Sequence, residues 1–104
     1  MTDAESPAAA AFVATDGGLR WRFDGALTMD TAAGALEASS ALPLPSAGVI
    51  DFDGLRHADS AALAVMIALK RRGVAEGRPI ALEGVPPTLM SLAVVYGVEP
   101  LLAA

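Results

Sequence analysis

The side chains best suited to chemistry lie close together in the middle of the chain. Asp51 and Asp53 are two residues apart on a predicted strand, so they share a face, and paired carboxylates can act as acid and base. The sequence shows no nucleophile beside them, and Gly17-Gly18 lacks the spacing of a nucleotide-binding loop. His57 is the only histidine and cysteine is absent, which leaves a metal site with little support. We therefore predict a protein that is not an enzyme and binds no metal or cofactor.

Asp59 and Ser60 form a second group, directly before a predicted helix. A serine in this position can act as the N-cap by accepting a hydrogen bond from an amide of the first turn, and Ser60 is the predicted N-cap. The Asp59 carboxylate would complement the helix dipole. Capping is compatible with contact to a partner, because a helix N-terminus is a natural site for a polar contact. The pair is therefore both a structural and a functional candidate.

The composition limits which partners the protein can have. Its 104 residues suffice for one domain with one core, and a hydrophobic fraction of 54% supplies the apolar side chains. The formal net charge of -5 disfavours nucleic acid, whose phosphates are bound by basic surfaces. Apolar stretches fall short of the roughly 18 residues that span a membrane. The N-terminus, with Asp3 and Glu5, lacks the positive region of a signal peptide. We expect a cytosolic protein that reaches a membrane only through a partner.

The first quarter of the chain predicts a hairpin. Residues 1–10 are small and polar, and we interpret them as a flexible lead-in to a single domain over residues 11–104. A short strand, Ala11–Thr15, precedes three residues that tolerate positive φ, Asp16–Gly18, and a return strand follows. Apolar and charged residues alternate in the return strand, so one of its faces should be buried. The expected buried residues are Leu19, Trp21 and Phe23.

Helices and strands alternate through the rest of the chain. The order β-β-α-β-α-β-α predicts an α/β fold with a mixed four-stranded sheet, in which an opening antiparallel hairpin is followed by parallel strands. About three to four helices should pack on this sheet. Met29 is expected in a thin apolar stripe of the first helix, and Tyr96 in a buried stripe of the last. The predicted elements are a helix from Thr28 to Ser40, a strand Val49–Phe52 buried on both faces, a helix from Ser60 to Glu76 ended by Gly77, a strand Ile80–Leu82 and a helix opened by Pro86-Pro87.

The predicted helix from Ser60 has an unusual exposed face. At about 100° per residue, most of its large apolar side chains fall on one side. The opposite side carries small residues where an exposed helix normally carries charge, and small residues let another backbone approach closely. Alanine is also the best helix former, so the pattern can arise without a partner. The expected buried side is Leu63, Met66, Ile67, Lys70 and Val74, and the expected docking strip is Asp59, Ser60, Ala61, Ala64, Val65, Ala68 and, as a rim contact, Arg72.

The segment from Val49 to Ala64 resembles the signature of STAS domains. In that family a buried strand ends near an acidic residue, and a loop, an Asp-Ser or Asp-Thr pair and a helix follow. Here the pair is Asp59-Ser60, with Leu63 in the helix. The order of the elements is similar to the family over nearly the whole chain. The resemblance implies the STAS fold and a non-enzymatic protein that acts by docking onto a partner.

Two kinds of STAS protein are candidates for the closer relationship. Anti-sigma-factor antagonists are phosphorylated on the serine just after the Asp-Ser pair, but that position is Ala61 here. A phosphoserine in such a regulator, with an anti-sigma factor or kinase as partner, could therefore only be Ser60.

The cytosolic STAS subunit of the Mla phospholipid ABC transporter carries an Asp-Thr pair whose hydroxyl residue aligns with Ser60. Its Leu-Ala-x-x-Tyr segment is similar to Leu92–Val98. We favour this second resemblance. It implies binding to the ATPase of the transporter, support of its assembly or activity in maintaining lipid asymmetry, and a place at the inner membrane only through the complex.

Overall fold

The computed structural model describes residues 11–103, so the predicted lead-in over residues 1–10 lies outside the described residues. This part of the chain is an α/β fold with a mixed four-stranded sheet and four α-helices, which confirms the predicted fold class. The strands are β1 (Ala11–Thr15), β2 (Arg20–Leu27), β3 (Val49–Ala58) and β4 (Ala81–Glu83), and the helices are α1 (Ala32–Ser39), α2 (Ser60–Ala75), α3 (Pro87–Val95) and α4 (Glu99–Ala103).

The strands follow one another in the sheet in the order β1-β2-β3-β4. β1 and β2 pair antiparallel, whereas β3 lies parallel to both β2 and β4. The turn between β1 and β2 is a short 3-10 segment, Asp16–Gly18, whose three residues have φ values of 53°, 67° and 91°. Glycine and aspartate tolerate this left-handed region better than most residues. The predicted hairpin and its turn residues are therefore confirmed.

The hydrophobic core lies between the helices and one face of the sheet. Four aromatic residues at its centre, Phe12, Trp21, Phe23 and Phe52, pack with ring centroids 4.9 to 6.0 Å apart. The indole Nε1 of Trp21 donates a hydrogen bond to the carbonyl oxygen of Pro43 at 3.1 Å, so its polar group is satisfied. The predicted core positions of Trp21 and Phe23 are confirmed.

The opposite face of the sheet carries charged side chains. Arg20 forms an ion pair with Glu83 at 2.7 Å, and Arg22 lies 3.5 Å from Asp51. The prediction that the central strand is buried on both faces is therefore wrong. Ile50 and Phe52 of β3 point into the core, but Asp51 between them lies on this charged face. The strand is also longer than the predicted Val49–Phe52, because residues 53–58 continue it.

The first helix begins later than predicted, at Ala32 instead of after Thr28. Thr31 closes a turn at this point: its Oγ1 accepts a hydrogen bond from the backbone N of Thr28 at 3.0 Å and donates one to the carbonyl oxygen of Ala26 at 2.6 Å. Met29 therefore lies on the turn instead of a helix face. It is 83% exposed, so its predicted place in the apolar stripe of the first helix is wrong.

Three further residues expected in the core are exposed. Leu19 lies in the hairpin turn, before the first residue of β2. At the end of α2 it is Gly73, and not Val74, that faces the returning chain. Tyr96 follows the last residue of α3, which is anchored to the core by Leu89 and Ala93. By contrast, Gly77 has a φ of 68° and ends α2 as predicted.

Candidate functional site

The N-terminus of α2 is capped by Asp59 and not by Ser60, so the predicted cap is wrong by one residue. Asp59 has extended backbone angles, and its Oδ1 accepts a hydrogen bond from the backbone N of Ala61 at 2.8 Å. Its Oδ2 accepts a second hydrogen bond, from the backbone N of Met29 at 3.1 Å. The carboxylate thus fixes the turn before α1 to the start of α2.

Because Asp59 supplies the cap, the hydroxyl of Ser60 is not needed to cap α2. Ser60 is the first residue of α2 and is exposed. Its Oγ forms no hydrogen bond with any residue of the described range 11–103. A hydroxyl in this position can both donate and accept a hydrogen bond to an approaching group. The structure therefore leaves Ser60 available for an intermolecular contact.

The predicted docking strip divides into accessible and buried members. Ser60 and Ala64 are exposed, and Ala61 and Ala68 are half-buried. Val65 is only 2% exposed, so its predicted place on the surface is wrong. The prediction from 100° per residue allowed α2 only one buried side. In the structure α1 also packs against α2, and Val65 lies under this contact.

A shallow apolar groove runs between α1 and α2, beside Ser60. Its volume is about 180 Å³. The walls consist of small or aliphatic side chains with hardly any polar surface, so an apolar side chain from another molecule could be buried there. The groove is lined by Ala32, Ala33, Leu36, Ala61, Ala64 and Val65.

Arg72, the expected rim of the docking strip, is engaged within the protein. Its Nη1 and Nη2 donate hydrogen bonds to the carbonyl oxygens of Ser39 at 3.1 Å and Leu42 at 2.7 Å. Its Nε pairs with Glu76 at 2.8 Å, and the guanidinium lies 5.8 Å from the ring centroid of Trp21. The Arg72 side chain is 25% exposed. These contacts tie the end of α1 to α2 and so hold both walls of the groove.

Comparison with known protein families identifies the fold. Residues 10–103 match a family model described as "Mlab, STAS domain", which covers nearly the whole chain. The chain belongs to the MlaB family of STAS domains. No curated protein matches it. STAS domains mediate protein–protein interactions, which makes an accessible surface beside Asp59-Ser60 the natural candidate site in this STAS domain.

Met29 is the part of this surface that the sequence did not reveal. The Met29 side chain is largely in solvent, while its backbone is fixed by Asp59. An exposed methionine on a fixed backbone offers a flexible apolar contact, as at other protein-binding surfaces. The sequence did contain a hint that Met29 lies on a turn: the threonines on either side of it, Thr28 and Thr31, can close a turn as readily as cap a helix. The surface formed by Met29, Ser60, Ala64 and the α1–α2 groove is called the α2 entry surface below.

The paired carboxylates Asp51 and Asp53 of this STAS domain are engaged in contacts within the protein. Asp51 and Asp53 do lie together, but the backbone N of Asp53 donates to Asp51 Oδ1 at 2.8 Å and Arg22 pairs with the same carboxylate. Within residues 11–103, no three His, Cys, Asp or Glu side chains are grouped so as to hold a metal ion. Over the same range, no helix has the length and apolar character to cross a membrane.

Proposed function

We propose that this STAS domain is a non-enzymatic accessory subunit that binds the cytosolic ATPase of an Mla-type phospholipid ABC transporter. Residues 11–104 act as a single docking domain in the cytoplasm, held at the inner membrane only through the complex. Binding supports the assembly or activity of the transporter and so the maintenance of lipid asymmetry. Membership of the MlaB family supports this proposal, and the α2 entry surface supplies the contact site.

The observation that carries the proposal is the separation of roles between two neighbouring residues. Asp59 satisfies the backbone of α2 and of the preceding turn, whereas the Ser60 hydroxyl makes no contact within the described residues. An exposed polar group at the centre of a small-residue surface is suited to a directional hydrogen bond with a partner. The neighbouring apolar elements, Met29 and the groove beside Ala64, add buried area around it.

Docking can change the activity of an ATPase only if it favours one of its conformations. A subunit that binds the productive conformation more tightly than the others shifts the equilibrium toward it by that difference in affinity. The α2 entry surface is suited to this role because its parts are rigidly connected: Asp59 joins the turn to α2, and Arg72 joins α1 to α2. A rigid surface loses little conformational entropy on binding.

An anti-sigma-factor antagonist is the second candidate, and the exposure of Ser60 is the observation that favours it. A kinase could reach this hydroxyl, and no other residue of the Asp-Ser motif could accept phosphate, because position 61 is alanine. A phosphate on Ser60 would be attracted by the N-terminus of α2 but repelled by the adjacent Asp59 carboxylate, and the family model that the chain matches is the MlaB one. We therefore rank this function below the transporter subunit.

Affinity purification of the tagged chain from its native cells tests the proposal. We expect an ABC ATPase to co-purify, together with a permease and a lipid-binding component, and we expect Ser60→Ala to reduce the yield of the ATPase while the domain stays folded. Recovery of an anti-sigma factor or a kinase, with phosphate on Ser60 by mass spectrometry, would replace the transporter with the regulatory function.

A further inference from the structure

A larger cavity opens at the carboxyl ends of β2 and β3, on the side of α3. Its volume is about 560 Å³, within the range of pockets that hold small organic ligands. Four polar side chains line it: Thr28, which directly follows β2, Arg56 and His57 from β3, and Thr88 from α3. Leu55 and Leu89 are among the apolar residues of its wall. The carboxyl ends of parallel strands are a common place for ligands in open α/β sheets.

The charge of this cavity is positive and uncompensated by the residues described. Arg56 and His57 form no ion pair or side-chain hydrogen bond within residues 11–103, and no aspartate or glutamate lines the cavity. Asp59, two residues after His57, accepts hydrogen bonds from two backbone amides. Three other arginines do have carboxylate partners. They are Arg20, Arg22 and Arg72.

The pairing of β3 with β2 is irregular beside the cavity, and this irregularity determines the position of Arg56. Gly25 and Ala26 are neighbours in β2, but their partners in β3 are Leu55 and His57, so Arg56 is an extra residue without a partner. Such a bulge bends a strand and redirects its side chains, and bulges are frequent beside binding sites. Here it brings four consecutive residues of one strand, 55–58, to the same cavity.

We propose that this cavity binds the phosphate group of an organic phosphate ester. The Arg56 guanidinium supplies several donors in a planar fork that matches phosphate oxygens, and His57 and the hydroxyls of Thr28 and Thr88 supply further donors around it. The leucines of the wall accommodate the organic part of the ester. The proposal is independent of the proposed function, because the cavity is formed by different side chains from those of the α2 entry surface.

Titration of the ¹⁵N-labelled full chain, followed by NMR, tests this proposal with three probes. Phenyl phosphate combines a phosphate with an apolar group, inorganic phosphate lacks the apolar group, and phosphatidylglycerol vesicles present the phosphate on a lipid. We expect phenyl phosphate to shift resonances around Arg56, His57 and Thr88 and to bind more tightly than inorganic phosphate. Dependence of vesicle binding on Arg56 identifies a lipid as the source of the ester, and binding of phenyl phosphate without vesicle binding identifies a soluble ester.

Matched variants separate this site from general attraction of anions. Arg56→Gln should weaken phenyl phosphate binding about tenfold or more, as the loss of charge-assisted hydrogen bonds does. His57→Asn should also weaken it. Arg78→Gln removes an exposed arginine that does not line the cavity, and it should leave the affinity unchanged. Absence of shifts with every probe up to ~10 mM, equal affinity for inorganic phosphate, or equal weakening by Arg78→Gln would overturn the proposal.

Discussion

Replacing Gly73 with alanine should destabilise the protein although alanine is the better helix former. Gly73 lies in the last turns of α2, where the chain returns toward β4 and the backbone N of Arg78 donates to the Gly73 carbonyl oxygen at 2.7 Å. A Cβ at this position would lie 2.7 Å from the carbonyl oxygen of Arg78 and 2.7 Å from Cγ1 of Ile80. Carbon atoms do not approach a backbone oxygen so closely, so the returning chain would have to move.

The magnitude follows from two opposing effects. Alanine gains about 1 kcal/mol of helix propensity over glycine. Overpacking a tight contact costs about 3 kcal/mol at the upper end of its usual range, which applies because backbone atoms must shift. The free energy of unfolding should therefore fall by about 2 kcal/mol, and the Tm by roughly 8–16 °C.

Gly34 provides the matched control in α1. A Cβ there meets no atom within 4 Å, and the residue is exposed. Gly34→Ala should therefore stabilise the protein by about 0.5–1 kcal/mol through propensity alone. Thermal and urea unfolding of both variants measure the two changes. Opposite signs are expected, and a Gly73→Ala protein as stable as the parent would refute the close approach of α2 and the returning chain.

Three further predictions concern named contacts. Asp59→Ala should lower the free energy of unfolding by about 1–2 kcal/mol because it removes the cap of α2, whereas Ser60→Ala should change it by less than about 0.5 kcal/mol; equal losses in urea unfolding would contradict the assignment of the cap. Arg72→Met should cost about 2–3 kcal/mol, since the charged hydrogen bonds to the carbonyl oxygens of Ser39, the last residue of α1, and of Leu42 in the following turn are lost. An unchanged Tm would show that these bonds do not hold α1. Burial lowers the pKa of Lys70, whose Nζ donates to the carbonyl oxygen of Ile80 at 2.6 Å. Between this lowered pKa and the ordinary pKa of lysine the unfolded chain binds more protons, so the contribution of Lys70 to stability should rise with pH across that alkaline window. Lys70 is the only lysine, so one ¹³Cε signal in an NMR titration measures its pKa, and a midpoint at or above that of the unfolded chain would contradict the effect.

The fold was predictable because its boundaries are marked by residues with few alternatives. The turn at Asp16–Gly18 and the end of α2 at Gly77 both require positive φ, and the sequence places glycine or aspartate, which tolerate it, at these positions. The alternation around Trp21 and Phe23 likewise specifies one buried face. These signals are local, so no knowledge of the tertiary structure was needed to interpret them.

The errors at the candidate site arise where two adjacent residues can serve the same local role. Asp59 and Ser60 are both good N-caps, and the choice of Asp59 depends on a tertiary contact, the amide of Met29, that no local pattern contains. Thr28 and Thr31 present the same ambiguity before α1. The burial of Val65 was not predicted because the spacing of apolar residues along α2 does not reveal that α1 packs over it.

The cavity beside Arg56 and His57 could not be predicted from the sequence for a different reason. These residues follow the apolar part of β3 and carry polar side chains, which is typical of a loop, yet they continue the strand. A bulge is formed by two strands together, so the sequence of one strand does not reveal it. The opposing α3 is contributed by residues about thirty positions later in the chain.

The central claim, that the α2 entry surface docks onto a transporter ATPase, is tested most directly by comparing two glutamate substitutions in the same helix. Ala64→Glu places a charge at the α1–α2 groove, and Ala75→Glu places one at the other end of α2, about 16 Å away. Both alanines are exposed, so both proteins should fold. The account predicts that the co-purifying ATPase is retained by Ala75→Glu and lost by Ala64→Glu. Equal recovery of the ATPase with both variants would contradict it.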